Sequence, residues 1–321
     1  MLRTLFGTLT LGLLALFCQH APAEATAVHA RSPLSSARTD ATNTTPAQDA
    51  AVTVAPSPTA NTLVVMTFNL RYASDQAPNS WAARKPVLVE QIRREAPDVL
   101  GTQEGLWRQI QDLVVALPEY GWVRLGREGG SHGEFGAIFY RRARFQVLEF
   151  DHFWLSDTPD RIGSSSWGNQ VVRMVTWARL LDRKTEAEFV VYNTHFDHQV
   201  QAAREESAKL LLARGQAHFA NWPVLITGDF NAVAGKNAAY TTLVGAGRYQ
   251  DAWTTALERG PEVSTFHGYG GPDAGRGRID WILHNERWKT LSAHVATYSD
   301  AGQFPSDHFP VVATFALLPR D

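Results

Sequence analysis

Several apolar stretches of strand length in this chain run straight into a polar residue, and that habit limits the folds open to it. Leu63–Phe68 ends at Asn69, Asp98–Thr102 at Gln103 and Glu104, Glu188–Thr194 at His195, and Val224–Thr227 at Gly228 and Asp229. Short apolar runs bounded by turn residues read as buried strands, and loops at strand ends are where a rigid sheet presents chemistry. The sharpest case is Val224–Ala232, Val-Leu-Ile-Thr-Gly-Asp-Phe-Asn-Ala. Alternate residues of an extended chain share a face, so Asp229 and Asn231 point together while Phe230 points away and anchors the loop in the core. Such a carboxylate and carboxamide pair handles a water, a phosphate or a hard cation, or else closes the strand as an Asx turn.

The remaining elements fill in around these strands. An amphipathic helix is predicted from Trp81 to about Glu95, with Pro86 tolerable only in its first turn, and a second over Trp107–Leu117. Strands are predicted at Gly121–Leu125, Phe135–Tyr140, Phe145–Leu155 and Val175–Leu181, with a Gly/Ser loop at Gly163–Gly168. Helices follow at Arg204–Phe219 and Ala238–Val244, and strands at Ile279–Leu283, Trp288–Thr297 and Val311–Leu317. Many strands with few helices suggest two packed sheets flanked by helices rather than one parallel wound sheet.

The N-terminal end is different in kind. Arg3, an apolar run from Leu5 to Phe17 and overlapping Ala-x-Ala patterns at Ala21–Ala25 read as a secretory signal peptide over 1–25. The run is too short to span a bilayer comfortably, and bulky Phe17 before Cys18 argues against a lipoprotein signal. Residues 26–61, rich in Ala, Thr, Ser and Pro, read as a disordered linker, because they cannot bury enough apolar surface to offset ordering entropy. The folded domain is expected over 62–321, secreted or periplasmic after signal removal, monomeric and without stable membrane insertion. Cys18 is the single cysteine, so the mature domain has no disulfide and no thiolate nucleophile or metal ligand. The first 61 residues hold three basic and three acidic side chains, so the domain keeps the chain's net charge of −2. That balance argues against a broad nucleic-acid footprint but not against a small phosphate ester.

The polar residues sharing strand-end addresses are Asn69, Glu104, His195, Asp229 with Asn231, Asp280, and Asp307 with His308. Each alone has a structural explanation: Asn69 a turn, Glu104 a helix cap, Asp280 an ion pair with Arg278 or Arg276. Their recurrence is what points to a site. Trp81 and Trp167 read as core or rim packing before an aromatic wall, and His152 and His198, near the site by sequence logic, read first as structural histidines. His195 and His198 are too sparse a set for zinc.

Six stretches in order, Thr-Phe-Asn-Leu-Arg, Gly-Thr-Gln-Glu, Asn-Thr-His-Phe-Asp-His, Thr-Gly-Asp-Phe-Asn, Arg-Ile-Asp-Trp and Pro-Ser-Asp-His-Phe-Pro, resemble the endonuclease/exonuclease/phosphatase superfamily. The resemblance spans Leu63–Leu317 and implies a four-layered α-β-β-α sandwich of two mixed sheets, and Mg²⁺-dependent phosphoester hydrolysis, with Mn²⁺ as a substitute. It implies Glu104, Asn69 and Asp307 as metal ligands, since Mg²⁺ keeps several waters and needs few protein oxygens. Asp229 would activate the attacking water and Asn231 hold it or the phosphate. His308, oriented by Asp280, would contact a non-bridging oxygen, and His195 would face the same phosphate, with Glu134 as its orienting partner or merely a strand-edge acid. Arg71 stands where abasic-site endonucleases carry an Asp, which favours a one-metal core and adds a phosphate contact. Arg173 is a further phosphate contact or a plain surface arginine. The substrate stays open between a small phosphate mono- or diester, a nucleic acid and a sphingomyelin-like lipid, and a catalytically silent binding module is the remaining alternative.

Overall fold

The computed structural model describes residues 61–319, apart from residues 246 and 276. The expected signal peptide, and the linker up to residue 60, lie outside the described residues. In chain order the elements are β1 (Thr62–Asn69), α1 (Trp81–Glu95), β2 (Val99–Gln103), α2 (Trp107–Ala116), β3 (Tyr120–Val123), β4 (Ile138–Arg141), β5 (Phe145–Trp154), β6 (Met174–Asp182) and β7 (Ala187–His195). Then follow α3 (Gln201–Phe219), β8 (Val224–Asp229), α4 (Ala238–Val244), β9 (Gln250–Asp251), α5 (Ala252–Thr255), β10 (Glu258–Arg259), β11 (Asp280–His284), β12 (Trp288–Val295) and β13 (Val311–Leu317). One sheet runs β10-β12-β13-β1-β2-β4-β3 and the other β5-β6-β7-β8-β11-β9. The chain is the expected α/β sandwich of two mixed sheets.

Period-two alternation builds the layers. On β1, Leu63 and Val65 face the core between the sheets, where they meet Leu180, Val191 and Leu225 of the other sheet. Met66 and Phe68 face outward and pack under Leu88 and Ile92 of α1 and Ile110 and Leu113 of α2. Val190, Ile226 and Trp281 do the same beneath Leu211 of α3 and Leu243 of α4. α1 and α2 therefore bury apolar faces on one sheet and α3 and α4 on the other, giving helix, sheet, sheet, helix.

One local expectation needs correction. Pro86 lies in the second turn of α1, not the first. Proline there cannot donate to the carbonyl of Ala82, an exposed residue. Sequence also gives no hint of β9, β10 and α5, which are too short to carry a period.

The strand pairing brings the polar strand ends together. β1 runs parallel to β2 and β7 parallel to β8, with Asn69 opposite Gln103 and His195 opposite Asp229. β11 starts antiparallel where β8 ends, so Asp280 lies opposite Asp229. Below these ends the sheets are joined by a buried polar seam. Gln103 Nε2 donates to Thr67 Oγ1 (3.1 Å) and to Asn193 Oδ1 (2.7 Å). Thr227 Oγ1 donates to the same Asn193 oxygen (3.0 Å), and Asn193 Nδ2 donates to the Thr102 carbonyl (2.8 Å).

Gly101 lets the sheets approach closely enough for this seam. A Cβ there would stand 2.6 Å from Asn193 Oδ1 and closer still to Thr227 Oγ1. Gly101→Ala is therefore expected to destabilise the domain by about 1–3 kcal/mol or more through overpacking and loss of buried hydrogen bonds. Urea unfolding with an unchanged m-value checks this; a loss below about 0.5 kcal/mol would show that the seam can shift without cost.

Candidate active site

Three residues at the strand ends take left-handed backbone angles: Arg71 (φ 52°), Glu104 (φ 61°) and Asn231 (φ 48°). For residues with side chains this conformation costs on the order of 1–3 kcal/mol each, and it persists only where the surroundings over-determine it. All three line one cavity of about 300 Å³. Its wall also carries Glu134, Arg173, His195, Asp229, Asp307 and His308 from the residues expected in sequence.

Asn69 and Asp280 do not line this cavity; they stand behind it. Asn69 is fully buried. Its Nδ2 donates to Glu104 Oε1 (3.0 Å) and Asp229 Oδ2 (2.9 Å), while its Oδ1 accepts from the Arg71 amide (2.9 Å). Asn69 thus meets the backbone with its oxygen and bridges two carboxylates with its nitrogen. Asp280 Oδ2 accepts from His308 Nδ1 at 2.9 Å. Of the structural alternatives for Asp280, the pair with Arg278 is not formed, because Arg278 pairs with Asp251 (2.8 Å); Arg276 lies outside the described residues.

The electrostatics separate the two histidines. His308 is buried, which alone would favour its neutral form, yet Asp280, Asp229 and Asp307 outweigh burial and push it up to about 10. His195 goes the other way: burial, then the Arg173 and Arg127 charges, hold it well below its usual range. The neutral ring accepts at Nε2 from Asn231 Nδ2 (3.0 Å) and lies 3.4 Å from Asp229 Oδ2. Asp229 itself is pushed up to about 7 by burial and by Asp280 opposite it, against the pull of His308, whose Nε2 lies 3.8 Å away. Burial opposes ionisation of Glu104 too, but His308, the Asn69 amide, the Tyr72 amide and Arg71 together keep it below the usual carboxylate range. Asp307 is raised by burial.

Phe230 does what the alternation requires. It is fully buried and stacks on Trp281 with ring centres 4.2 Å apart, which leaves its neighbours aimed at the cavity. The Asp229 Oδ1 acceptor for the Asn231 amide (2.9 Å) completes an Asx turn, so the turn and the site are one arrangement.

Glu134 needs a correction. It makes no hydrogen bond or ion pair to His195 among the described contacts and is bound to Arg127 instead, at 2.6 Å. Arg127 carried no signal in the sequence, because it meets Glu134 only across a tight turn with glycines at positive φ (Gly129, Gly130, Gly133). Arg173 is buried, not a surface residue, and its Nη2 lies 3.1 Å from His198 Nδ1. Phe266, half exposed with its ring 5.0 Å from His308, also lines the cavity and had no sequence signature. Trp81 and Trp167 do not line it; their indoles bond Asp112 and Asp157. His152 sits away from it, against Thr176.

Ligand atoms of Glu104, His195 and Asp229 lie within 4.8 Å of one another, as do those of Asp229, Asp280 and His308. In the second group His308 Nδ1 is already engaged by Asp280, which does not line the cavity. The first has hard carboxylate oxygens on the cavity wall; Asp307 is a further carboxylate on the same wall, outside that group, and the Arg71 guanidinium lies 3.9 Å from Glu104 and 3.6 Å from Asp307. Oxygen donors of this kind suit Mg²⁺ or a similar hard cation.

The model of the endonuclease/exonuclease/phosphatase family matches residues 66–308. A solved structure of such a protein from Bacteroides vulgatus is 33% identical with a TM-score of 0.76, over 80% of this chain and 99% of that one. The mannosyl-6-phosphatase of Bacteroides thetaiotaomicron is 33% identical with a TM-score of 0.76, over 79% of this chain and 100% of that one. Nocturnin of Drosophila melanogaster is 26% identical over 287 residues, 75% of this chain and 42% of nocturnin. The chain spans about half the length of the curated relatives it matches.

The His308 assignment has a direct check. In metal-free protein its imidazole should titrate near pH 10, and Asp280→Asn should lower that midpoint by several units, as read by NMR of the ring. Because the folded value is raised, the pair's contribution to stability is full below the unfolded value of about 6.5 and is lost as pH rises through about 10. A wild-type midpoint near 6.5 would contradict the assignment.

Proposed function

The chain belongs to the endonuclease/exonuclease/phosphatase family, a family of phosphoester hydrolases, and from that premise we propose that it is a Mg²⁺-dependent phosphatase of small phosphate monoesters, sugar phosphates first among them. The observation that carries this reading is Asp229, poised near neutrality between neutral His195 and protonated His308 on the wall of one confined cavity. The modest volume and near-neutral chain favour a small ester over a long nucleic acid, and the similarity to a mannosyl-6-phosphatase supports a sugar leaving group.

In this reading Glu104 and Asp307 would hold the cation. When bound, it would neutralise phosphate charge and so favour charge build-up on the oxygens in the transition state. The chain's own groups do the rest. Asp229, with a proton affinity near the working pH, orients and deprotonates the attacking water. Asn231 positions that water or a phosphate oxygen. His308 donates to a non-bridging oxygen, and Asp280 keeps it protonated for that purpose. Arg71 and Arg173 bring further positive charge to the phosphate, and neutral His195 faces the same group without adding charge. Enclosure by Phe266, Val171 and Ile279 limits competing water. The signal peptide expected over 1–25 supports action outside the cytoplasm, and no helix among the described residues is long and apolar enough to cross a membrane.

The purified domain is expected to release phosphate from hexose phosphates and aryl monoesters with Mg²⁺ or Mn²⁺, to stop with a chelator, and to recover on adding the metal back. Asp229→Asn should lower kcat by about 10²–10⁴ with little change in KM. A panel in which DNA or sphingomyelin is cleaved and the monoesters are not would overturn the substrate class. Full activity of Asp229→Asn would overturn the mechanism.

A further inference from the structure

Arg84 is a fully buried arginine in the first turn of α1, and it makes no ion pair among the described residues. All of its hydrogen bonds go to backbone carbonyls. Nε donates to Asn79 (3.0 Å), Nη1 to Leu70 (2.8 Å) and Pro305 (2.8 Å), and Nη2 to Arg71 (3.1 Å) and Tyr72 (3.3 Å). A guanidinium has five N–H donors in a fixed fork, and here five carbonyls receive them. The Trp81 ring lies 5.5 Å from the charge.

A buried charge without a carboxylate partner is expensive, and an apolar side chain would fill the same space at less cost. What an apolar side chain could not do is join these carbonyls. Three belong to the turn after β1 that carries Arg71, and one belongs to Pro305, two residues before Asp307. The two loops are more than two hundred residues apart in sequence, and both deliver groups to the cavity. The Arg71 turn is left-handed and needs outside support. A second buried side chain, Gln109, braces it from the other side: Nε2 donates to the Arg71 carbonyl (2.9 Å), and Oε1 accepts from the Ala73 amide (2.7 Å) and the Leu106 amide (3.0 Å).

We infer that Arg84 is a positioning residue, which holds the strained Arg71 turn against the Asp307–His308 loop so that the Arg71 guanidinium stays aimed into the cavity beside Glu104 and Asp307. Its role in turnover rests on the proposed contact between Arg71 and substrate phosphate; its role in holding the two loops does not.

The test uses two readouts on the same variants. Arg84→Lys keeps the charge but supplies only three donors without the fork. By hydrogen exchange, the amides of Arg71, Tyr72, Ala73 and His308 should exchange at least tenfold faster in this variant, while β1, β2 and β8 keep wild-type rates. Unchanged rates in the loops, or equal acceleration across the strands, would overturn the inference. With p-nitrophenyl phosphate and Mg²⁺, Arg84→Lys and Arg71→Ala should each lower kcat/KM about tenfold or more. The double variant should fall no further than about threefold below the weaker single, because Arg84 acts through Arg71. Multiplied losses in the double variant would mean that Arg84 does not work through Arg71. Should Arg84→Lys fail to fold, Arg84→Gln, which keeps a donor without burying a charge, carries both measurements to the same outcomes. If wild type cleaves no phosphoester, the functional reading fails while the exchange measurement still decides the role of Arg84.

Discussion

A single side-chain amide, that of Asn69, holds the two halves of the site in register. It ends β1 in one sheet and donates at once to Glu104, from the neighbouring strand of that sheet, and to Asp229, from the other sheet. Hydrogen bonds to carboxylates are worth roughly 1.5–3 kcal/mol, and more is lost when a buried charge is left without its partner. Because the amide is neutral, it joins two anions without discharging either. One stays ionised beside the cavity, and the other remains free to exchange a proton near neutral pH. Everything that faces the cavity is arranged around that division.

The sandwich makes the division possible. The Gln103, Asn193 and Thr227 seam locks the sheets together just below the strand ends, and Gly101 allows the approach. On that rigid floor the loops at the site tolerate three left-handed residues, each with a side chain on the cavity wall. Strain of this kind is affordable only where the surroundings leave no alternative. Here the surroundings are the Asn69 oxygen, the Asp229 carboxylate under Asn231, and the buried Arg84 fork under Arg71.

The strands, the layers and most of the site were legible in the sequence because they rest on local signals. Apolar runs of strand length and period-two alternation are visible in the letters, and the strand ends carry Glu104, His195, Asp229 and Asn231 into one place once parallel pairing is granted. What was not legible depends on three-dimensional partners. Which atom of Asn69 faces the carboxylates is decided by the Arg71 backbone, which takes the oxygen. Glu134 meets Arg127 because a glycine-rich turn folds one onto the other, and no spacing rule announces that. Phe266 reaches the cavity through a loop without period. Arg84 reads as an ordinary polar position on a helix, and only the carbonyls around it reveal its burial.

The chemistry then follows from charge placement more than from any one group. Asp280 opposite Asp229 would be two buried anions in contact, and protonated His308 between them makes the pair tolerable. In the proposed mechanism Asp229 takes the proton from water, so that water, and not a side chain, would attack phosphorus. The most direct measurement is the stereochemical course at phosphorus with a chiral, isotopically labelled phosphate monoester under Mg²⁺. A single in-line attack by water gives inversion, the expected result; retention would require a covalent phosphoenzyme and would contradict the role assigned to Asp229.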